Sequence, residues 1–186
     1  MSTEKDKMLR GELYDANYDP QLREERMRSK KLCRAYNDLQ PDDIDGRKAL
    51  LTELLGATGK EFYIEQPFYC DYGYNITLGE NFYSNVNLVI LDCAKVTFGD
   101  NVFIAPDCGF HTAGHPLDVE QRNAGLEYAR PITVGNNVWI GAGVHVLPGV
   151  TIGDNCVIGA GSLVNRDIPS GSLAVGNPCR VIRKLD

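Results

Sequence analysis

The sequence predicts a mainly β protein built as a parallel β-helix and preceded by a helical segment. Three observations predict this fold: a six-residue repeat, turn residues recurring within the repeat, and an amphipathic helical pattern before residue 60. A chain of 186 residues is long enough for one sizeable core. We therefore expect residues 1–60 to pack as helices on a β-helix of residues 61–186, which ends in a C-terminal tail.

The repeat is clearest between residues 134 and 168. An aliphatic residue begins each unit of six, at Val134, Ile140, Val146, Ile152, Ile158 and Val164. A helix would show a period of 3.6 and an exposed strand a period of two, so a period of six indicates a short strand and a tight corner. Three such sides close a triangular coil of about 18 residues. Gly, Asn and Asp recur at the corners, where they tolerate a positive φ.

An earlier set of repeat units precedes residue 110 and is less regular. Its units begin at Leu78, Ser84, Ile90, Phe98 and Ile104, and two extra residues interrupt the spacing after the third unit.

Apolar residues at three- and four-residue spacings predict two helices before residue 60. One face of the first helix is predicted to carry Leu32, Ala35, Tyr36 and Leu39. Residues 41–43 are a Pro-Asp-Asp segment, which favours a second helix start because acidic groups are stabilised near the positive end of the helix dipole. These helices are too small to stand alone and are expected to pack on the β-helix.

Composition and charge exclude several classes of protein. The net charge of -6 argues against nucleic acid binding, and no apolar run approaches the roughly 18 residues of a membrane span. The N-terminus lacks the apolar core of a secretory signal, and the six cysteines form no CxxC pair. We expect a cytoplasmic protein with reduced cysteines and no metal.

The repeat is interrupted once for a long stretch, at about residues 111–133, and resumes at Val134. Long loops in compact repeat proteins are commonly functional. This excursion contains His111 and His115, which are two of the three histidines of the chain. Because histidine titrates near neutral pH, it is suited to proton transfer. The sequence therefore predicts the active site at the excursion.

Several segments resemble one enzyme family. They are CDYGYNI, ENFYSN, GHPLD, GLEYARPITVGNNVWIGAG, PGVTIGDNCVIGAGS, the ending GNPCRVIRKL, and GELYDAN near the N-terminus. Together they look like the galactoside, maltose and nodulation acetyltransferase group of the hexapeptide-repeat transferases, and the resemblance covers essentially the whole chain. It implies a left-handed coil, although parallel crossovers are usually right-handed. It also implies a homotrimer with active sites between subunits.

The same resemblance implies an activity. Acetyl-CoA is expected to donate an acetyl group directly to a hydroxyl of a sugar such as maltose or glucose. His115 matches the general base of the family, and Asn85 matches a residue that positions the acceptor and stabilises the transition state. Glu127 fits the maltose branch, and we expect it to orient His115 or to stabilise its charge.

Further contacts follow from the resemblance alone. The expected acceptor contacts are Asn17, Arg26, Asp71, Tyr83, Asp92 and Glu127. The galactoside branch has Asp where this chain has Asn17 and a second Asp where it has Cys93, so the sugar is left open. The expected coenzyme contacts are Trp139, Gly141, Ala142, Ala160, Asn165, Arg166, Arg180 and Arg183. The small residues would admit the pantetheine arm, and the arginines would bind phosphates.

Three alternatives share the predicted fold. The first is a xenobiotic acetyltransferase acting on an antibiotic hydroxyl. The second is a protein like the gamma-type carbonic anhydrases, with zinc held by histidines, although the order of His111, His115 and His145 disagrees with that ligand pattern. The third is a scaffold without catalytic activity, which would not bind acetyl-CoA. No role is assigned to His111, and His145 is interpreted as a surface or interface residue.

Overall fold

The computed structural model describes residues 2–185 and shows a mainly β protein with an N-terminal helical segment. The helices of this segment are α1 (Glu4–Leu9), α2 (Pro20–Asp38) and α3 (Ile44–Leu54). Each begins at a side-chain cap: Thr3, Asp19 and Asp43 accept backbone N–H groups of the first turns. Asp43 caps α3 directly after the Pro-Asp segment, as predicted. No helix among these residues is both long and apolar enough to cross a bilayer.

The predicted buried face of α2 was wrong in part. Tyr36 is buried as expected, but Ala35 is exposed, and the helix buries Ser29 and Cys33 instead. The reason is that α2 packs on strand backbone. The Tyr36 hydroxyl donates to the Ile64 carbonyl, so small and polar residues form the contact face. An apolar pattern alone does not identify such a face.

The strands of the coil form three parallel sheets, which we call faces 1, 2 and 3. Face 1 contains β4 (Ile76–Thr77), β7 (Val96–Phe98), β12 (Ile132–Val134) and β15 (Thr151–Ile152). Face 2 contains β2 (Phe62–Ile64), β5 (Phe82–Ser84), β8 (Phe103–Ile104), β13 (Trp139–Ile140), β16 (Val157–Ile158), β18 (Ser172–Val175) and the antiparallel edge strand β19 (Arg180–Lys184). Face 3 contains β3 (Phe68–Cys70), β6 (Leu88–Leu91), β9 (Gly109–His111), β14 (His145–Val146) and β17 (Leu163–Val164).

The length of a coil changes along the chain. In the later half Trp139 pairs with Val157, which gives the predicted period of 18. In the earlier half Tyr83 pairs with Phe103, so a coil there has 20 residues. The two extra residues lie where the chain passes from face 3 to face 1. The prediction of a stacked triangular coil is confirmed. The left-handedness of the coil stays an expectation from the resemblance.

The six aliphatic residues that begin the later repeat units point into the coil and are buried.

Outward-facing residues differ between the faces. Face 1 carries a row of threonines, which are Thr77, Thr97, Thr133 and Thr151. Face 2 carries an aromatic row, which is Tyr63, Tyr83, Phe103 and Trp139. Face 1 therefore suits contact with water, whereas face 2 presents apolar surface.

The excursion is an ordered substructure, so describing residues 111–133 as a loop was wrong. His111 still belongs to β9, and β12 begins at Ile132. Between them lie β10 (Ala113–Gly114), α4 (Val119–Asn123) and β11 (Leu126–Ala129). Strand β11 pairs antiparallel with β10 and with β1 (Tyr14–Asp15) from the N-terminal segment. The excursion therefore ties the helical segment to the coil. A domain boundary near residue 60 stays a prediction.

The corner between faces 1 and 2 carries an asparagine ladder. Asn81, Asn101, Asn137 and Asn155 have φ values of 54–56°. Their side-chain amides are hydrogen-bonded from coil to coil, at 2.8, 3.2 and 3.1 Å. Asparagine tolerates this conformation better than other residues with a Cβ, and here its amide also links the coils. The corner chemistry predicted from the repeat is confirmed.

We expect Asn137→Ala to lower the free energy of unfolding by about 1–3 kcal/mol, because it loses both ladder hydrogen bonds and retains a strained φ. Asn137→Gly loses the same bonds without the strain and should cost less. Urea unfolding of both variants and of the wild type at one protein concentration measures the difference. Equal losses of unfolding free energy in the two variants would show that the positive φ at residue 137 does not destabilise the alanine variant.

Candidate active site

His115 directly follows β10 and is oriented by the hairpin of β10 and β11. Its Nδ1 lies 3.0 Å from the backbone oxygen of Leu126. A carbonyl oxygen only accepts hydrogen bonds, so Nδ1 carries the hydrogen of the neutral ring. The lone pair is then on Nε2. Half of the side chain is exposed, at 50%, so a substrate has access to this imidazole.

Glu127 lies beside His115, and Tyr14 holds its carboxylate in place. One carboxylate oxygen lies 3.8 Å from His115 Nε2. The other accepts a hydrogen bond of 2.8 Å from the hydroxyl of Tyr14, which is fully buried. Burial raises the pKa of Tyr14, so the phenol remains a donor. Since Tyr14 and Glu127 are also paired across β1 and β11, the carboxylate position is set by backbone as well as side chain.

Asn17 and Arg26 lie on the same side of the molecule as the excursion. The Asn17 amide donates to the Gly125 carbonyl at 3.2 Å. Gly125 has a φ of +80°, and a Cβ there would lie 2.6 Å from the Asn17 nitrogen, so only glycine allows this approach. Arg26 donates to the Tyr72 hydroxyl at 2.7 Å and to the Ala16 carbonyl. Asn17 is therefore anchored to the excursion, and Arg26 is anchored to the residue that precedes Asn17.

Asp71 and Asp92 lie at the corner between faces 3 and 1, which we call corner 3/1. Asp71 is partly exposed, and burial raises the pKa of its carboxyl. Asp92 is fully buried, and its carboxylate accepts backbone N–H groups of Asp71, Tyr72 and Asn75. Asp92 is thus placed to shape the segment that carries Asp71, rather than to touch a ligand.

Asn85 lies at a different edge of the coil, the corner between faces 2 and 3, which we call corner 2/3, and Tyr83 lies near it on face 2. Asn85 Oδ1 accepts the N–H of Val86 at 2.8 Å, which directs the amide nitrogen elsewhere as a donor. The Tyr83 ring is parallel to that of Tyr63, with centroids 6.2 Å apart, and it lines a cavity of about 390 Å³. Among residues 2–185, no hydrogen bond or ion pair connects Asn85 with His115. Asn85 follows β5 of face 2 and His115 lies beyond β9 of face 3, so within one chain face 3 lies between the two predicted catalytic residues.

Most of the predicted coenzyme residues lie along face 2 and corner 2/3, whereas Asn165 and Arg166 follow β17 of face 3. Gly141 packs against the next coil so closely that a Cβ would lie 2.6 Å from the backbone nitrogen of Ala160. Ala142 and Ala160 are exposed at corner 2/3, and Trp139 is 57% exposed on face 2. The outward row continues from Trp139 through Val157 and Leu173 to Arg183, three strand spacings or about 14 Å.

This outward-facing row ends in charged residues on the last coil. Arg180 and Arg183 are exposed on β19, and Arg180 donates to the Asn165 side chain at 3.3 Å. Arg166 is exposed beside Asn165. The structure thus groups the predicted phosphate contacts at one end of the coil.

Sequence reasoning missed several residues around the site. Tyr14 and Tyr72 anchor Glu127 and Arg26, and a signal for Tyr14 exists in the GELYDAN segment. His111 and His145 were not predicted to meet, yet His111 Nε2 lies 3.0 Å from His145 Nδ1, above Gly109. No group of three or more His, Cys, Asp or Glu side chains with metal-binding geometry exists among residues 2–185.

The comparisons with known proteins agree with the fold. The chain matches the maltose acetyltransferase hexapeptide capping motif at residues 7–59 and the bacterial transferase hexapeptide, six repeats, at residues 131–166. A Saccharomyces cerevisiae protein provisionally named an acetyltransferase is 59% identical over 175 residues, covering 94% of this chain and 89% of the relative.

Two solved structures are similar over nearly their whole length. A maltose O-acetyltransferase from Clostridium difficile 630 has 52% identity and a TM-score of 0.97, and the match covers 99% of this chain and 98% of that one. A galactoside acetyltransferase in complex with coenzyme A has 45% identity and a TM-score of 0.95, with 98% and 91% covered. The chain belongs to the hexapeptide-repeat acetyltransferase family. This membership argues against the third alternative, in which the protein is a scaffold without catalytic activity.

The buried Asp92 predicts a pH dependence of stability. Burial raises the pKa of Asp92 to about 6, whereas an unfolded Asp titrates near about 3.9. Between these values the folded state binds the additional proton, so stability is lost as the pH rises through 6. Compared with Asp92→Asn, the wild type should lose on the order of 2 kcal/mol between pH 4 and pH 6.5.

Urea unfolding of the wild type and Asp92→Asn across this pH range measures the effect. The variant cannot titrate at position 92, so a constant energy difference between the two proteins would contradict the assignment.

Proposed function

We propose that this protein transfers the acetyl group of acetyl-CoA to a hydroxyl of a sugar, with His115 as the general base. The observation that carries the proposal is the orientation of His115: Nδ1 donates to the Leu126 carbonyl, which leaves an exposed, basic Nε2. The acceptor hydroxyl is a poor nucleophile until its proton is removed, and a positioned neutral imidazole removes it.

The transfer is a single displacement. Nε2 takes the hydroxyl proton while the acceptor oxygen attacks the thioester carbonyl, forming a tetrahedral oxyanion. The free amide N–H of Asn85 donates to that oxyanion. Collapse of the intermediate breaks the carbon–sulfur bond, and the imidazolium returns its proton to the coenzyme A thiolate. Glu127, at 3.8 Å, stabilises the positive ring during this cycle, and Tyr14 keeps the carboxylate there.

The coenzyme would lie along face 2. The coenzyme A complex of the galactoside acetyltransferase relative supports this choice of co-substrate. The thioester would lie near Trp139, the pantetheine arm would follow Gly141, Ala142 and Ala160, and the phosphates would reach the arginines of β19. The distance of about 14 Å from Trp139 to the Arg183 strand suits an extended arm, and guanidinium groups suit phosphate oxygens.

The active site would be completed by a second subunit of a homotrimer. Asn85 lies at corner 2/3 and Tyr83 on face 2, whereas His115, Glu127 and Asp71 belong to corner 3/1. Face 3 therefore separates the two groups in one chain. The exposed aromatic row of face 2 gives the apolar surface that a subunit contact requires. In this arrangement one subunit supplies the base and its neighbour supplies the oxyanion donor.

The acceptor would be a sugar such as maltose or glucose. Asn17, Arg26 and Asp71 supply amide, guanidinium and carboxyl groups around His115, which suit the hydroxyl groups of a sugar. We now propose Asp92 as a positioning residue for Asp71. The maltose and galactoside acetyltransferase relatives support a sugar. An antibiotic hydroxyl is the second candidate, because the same base and coenzyme groove would serve it.

His115→Ala should lower kcat by about 10²–10⁴-fold, because only the proton transfer is removed. The KM for acetyl-CoA should stay near that of the wild type. Thiol release is followed with glucose, maltose and chloramphenicol as acceptors, and the sugars should be the better acceptors. His145→Ala is the matched histidine control and should retain activity. A His115→Ala enzyme with normal kcat would refute the base assignment.

Mixed trimers test the shared site. His115→Ala and Asn85→Ala chains should each be nearly inactive alone. Co-expressed at equal levels, they should recover about a quarter of wild-type activity, because random pairing gives an intact histidine facing an intact asparagine at about one interface in four. If both residues act within one chain, no mixture of the two variants recovers activity.

A further inference from the structure

Two thiols are in contact where α2 packs on the coil. Cys33 of α2 and Cys70 of β3 have their Sγ atoms 3.7 Å apart. The Ser29 hydroxyl lies 3.3 Å from the Cys70 sulfur and completes a small polar cluster. A disulfide requires a sulfur separation of about 2.0 Å, so the two sulfur atoms would have to close by about 1.7 Å.

The backbone around the two thiols is well anchored. One helical turn before Cys33, Ser29 also lies 3.4 Å from the Cys70 carbonyl oxygen. One turn after it, Asn37 exchanges two hydrogen bonds with the backbone of Phe68, at 2.9 and 3.0 Å. These contacts hold α2 and β3 at a constant separation. The packing of α2 on β3 therefore holds the two sulfur atoms next to each other in the folded protein.

The two thiols differ in their environment. The hydrogen bond from the Cys70 thiol lowers the pKa of Cys33, while the same contact and burial raise the pKa of Cys70. Both cysteines line a cavity of about 660 Å³ between α2 and face 3, to which Lys30 and Arg34 also contribute. The cavity gives a small oxidant access to the sulfurs, and its charged lining is mixed, because two carboxylates also face it.

We propose that Cys33 and Cys70 are a modification site, at which a hydroperoxide oxidant forms a reversible intramolecular disulfide. The Cys33 thiolate attacks the terminal peroxide oxygen, which breaks the O–O bond and leaves a sulfenic acid on Cys33. The leaving group is hydroxide when the oxidant is hydrogen peroxide and an alkoxide when it is an organic hydroperoxide. The Cys70 thiol then attacks the Cys33 sulfur and forms the S–S bond. The sulfenic oxygen leaves as water with the Cys70 proton, and an added dithiol reduces the bond again.

The crosslink would join the helix that carries Arg26 to the strand that precedes Asp71. Oxidation would thus tie together two elements that frame the candidate acceptor site. The formation of the bond does not depend on the proposed acetyl transfer, because it requires only the two thiols and the packing of α2.

The folded full-length protein is treated with hydrogen peroxide, blocked with N-ethylmaleimide and analysed by peptide mass spectrometry without reduction. The mass of the wild type should fall by that of two hydrogens. Its digest should contain a linked Cys33–Cys70 peptide pair, which dithiothreitol separates. Cys33→Ser should abolish the link. Cys70→Ser should instead accumulate a sulfenic acid on Cys33, which dimedone traps.

Cys108→Ser is the matched control, since Cys108 is also a buried thiol but contacts no second cysteine side chain in the structure described for residues 2–185. It should retain the linked pair. Circular dichroism of the reduced variants shows whether each one is folded before oxidation. A wild-type protein that stays unlinked under oxidation, or a linked pair involving other cysteines, would overturn the proposal.

Discussion

The stacking of the coils depends on corners that turn the chain through a positive φ without breaking the hydrogen bonds between neighbours. The asparagine ladder achieves this at one corner, and Gly143 and Gly161 continue the same conformation at another. With the corners set, each aliphatic residue of the repeat falls in register with the one above it. The buried column and the inter-coil hydrogen bonds then stabilise the same arrangement.

The excursion departs from this regular frame and places His115 beside Glu127. Strand β11 is held between β10 and β1, so the N-terminal segment supports the hairpin that carries His115 and Glu127. Tyr14 contributes a buried donor at the point where the carboxylate needs one. The helical segment therefore has a catalytic as well as a packing role in the proposed mechanism, because without β1 the carboxylate beside the imidazole would lose its anchor.

The proposed chemistry divides its groups between two edges of the coil. The base lies at corner 3/1 and the oxyanion donor at corner 2/3, with a full sheet between them. A monomer of this shape would hold half of the machinery at each edge. Assembly would then be a condition of activity, which explains why a rigid prism with one apolar face suits this type of enzyme.

The sequence by itself determined the stacked coil, its aliphatic column, its corner residues and the position of the excursion, because these follow from local periodicity and turn chemistry. The choice of His115 as the candidate base came from the family resemblance. It predicted the wrong face for Ala35 and a loop where the excursion is folded, since both depend on contacts with distant strands. Only the tertiary structure decided that Asp92 is buried beneath Asp71, that Tyr14 supports Glu127, and that Cys33 meets Cys70. These pairs are separated by 21 to 113 residues along the chain. Three different tertiary contacts bring them together: coil stacking, the pairing of β1 with β11, and the packing of α2 on β3.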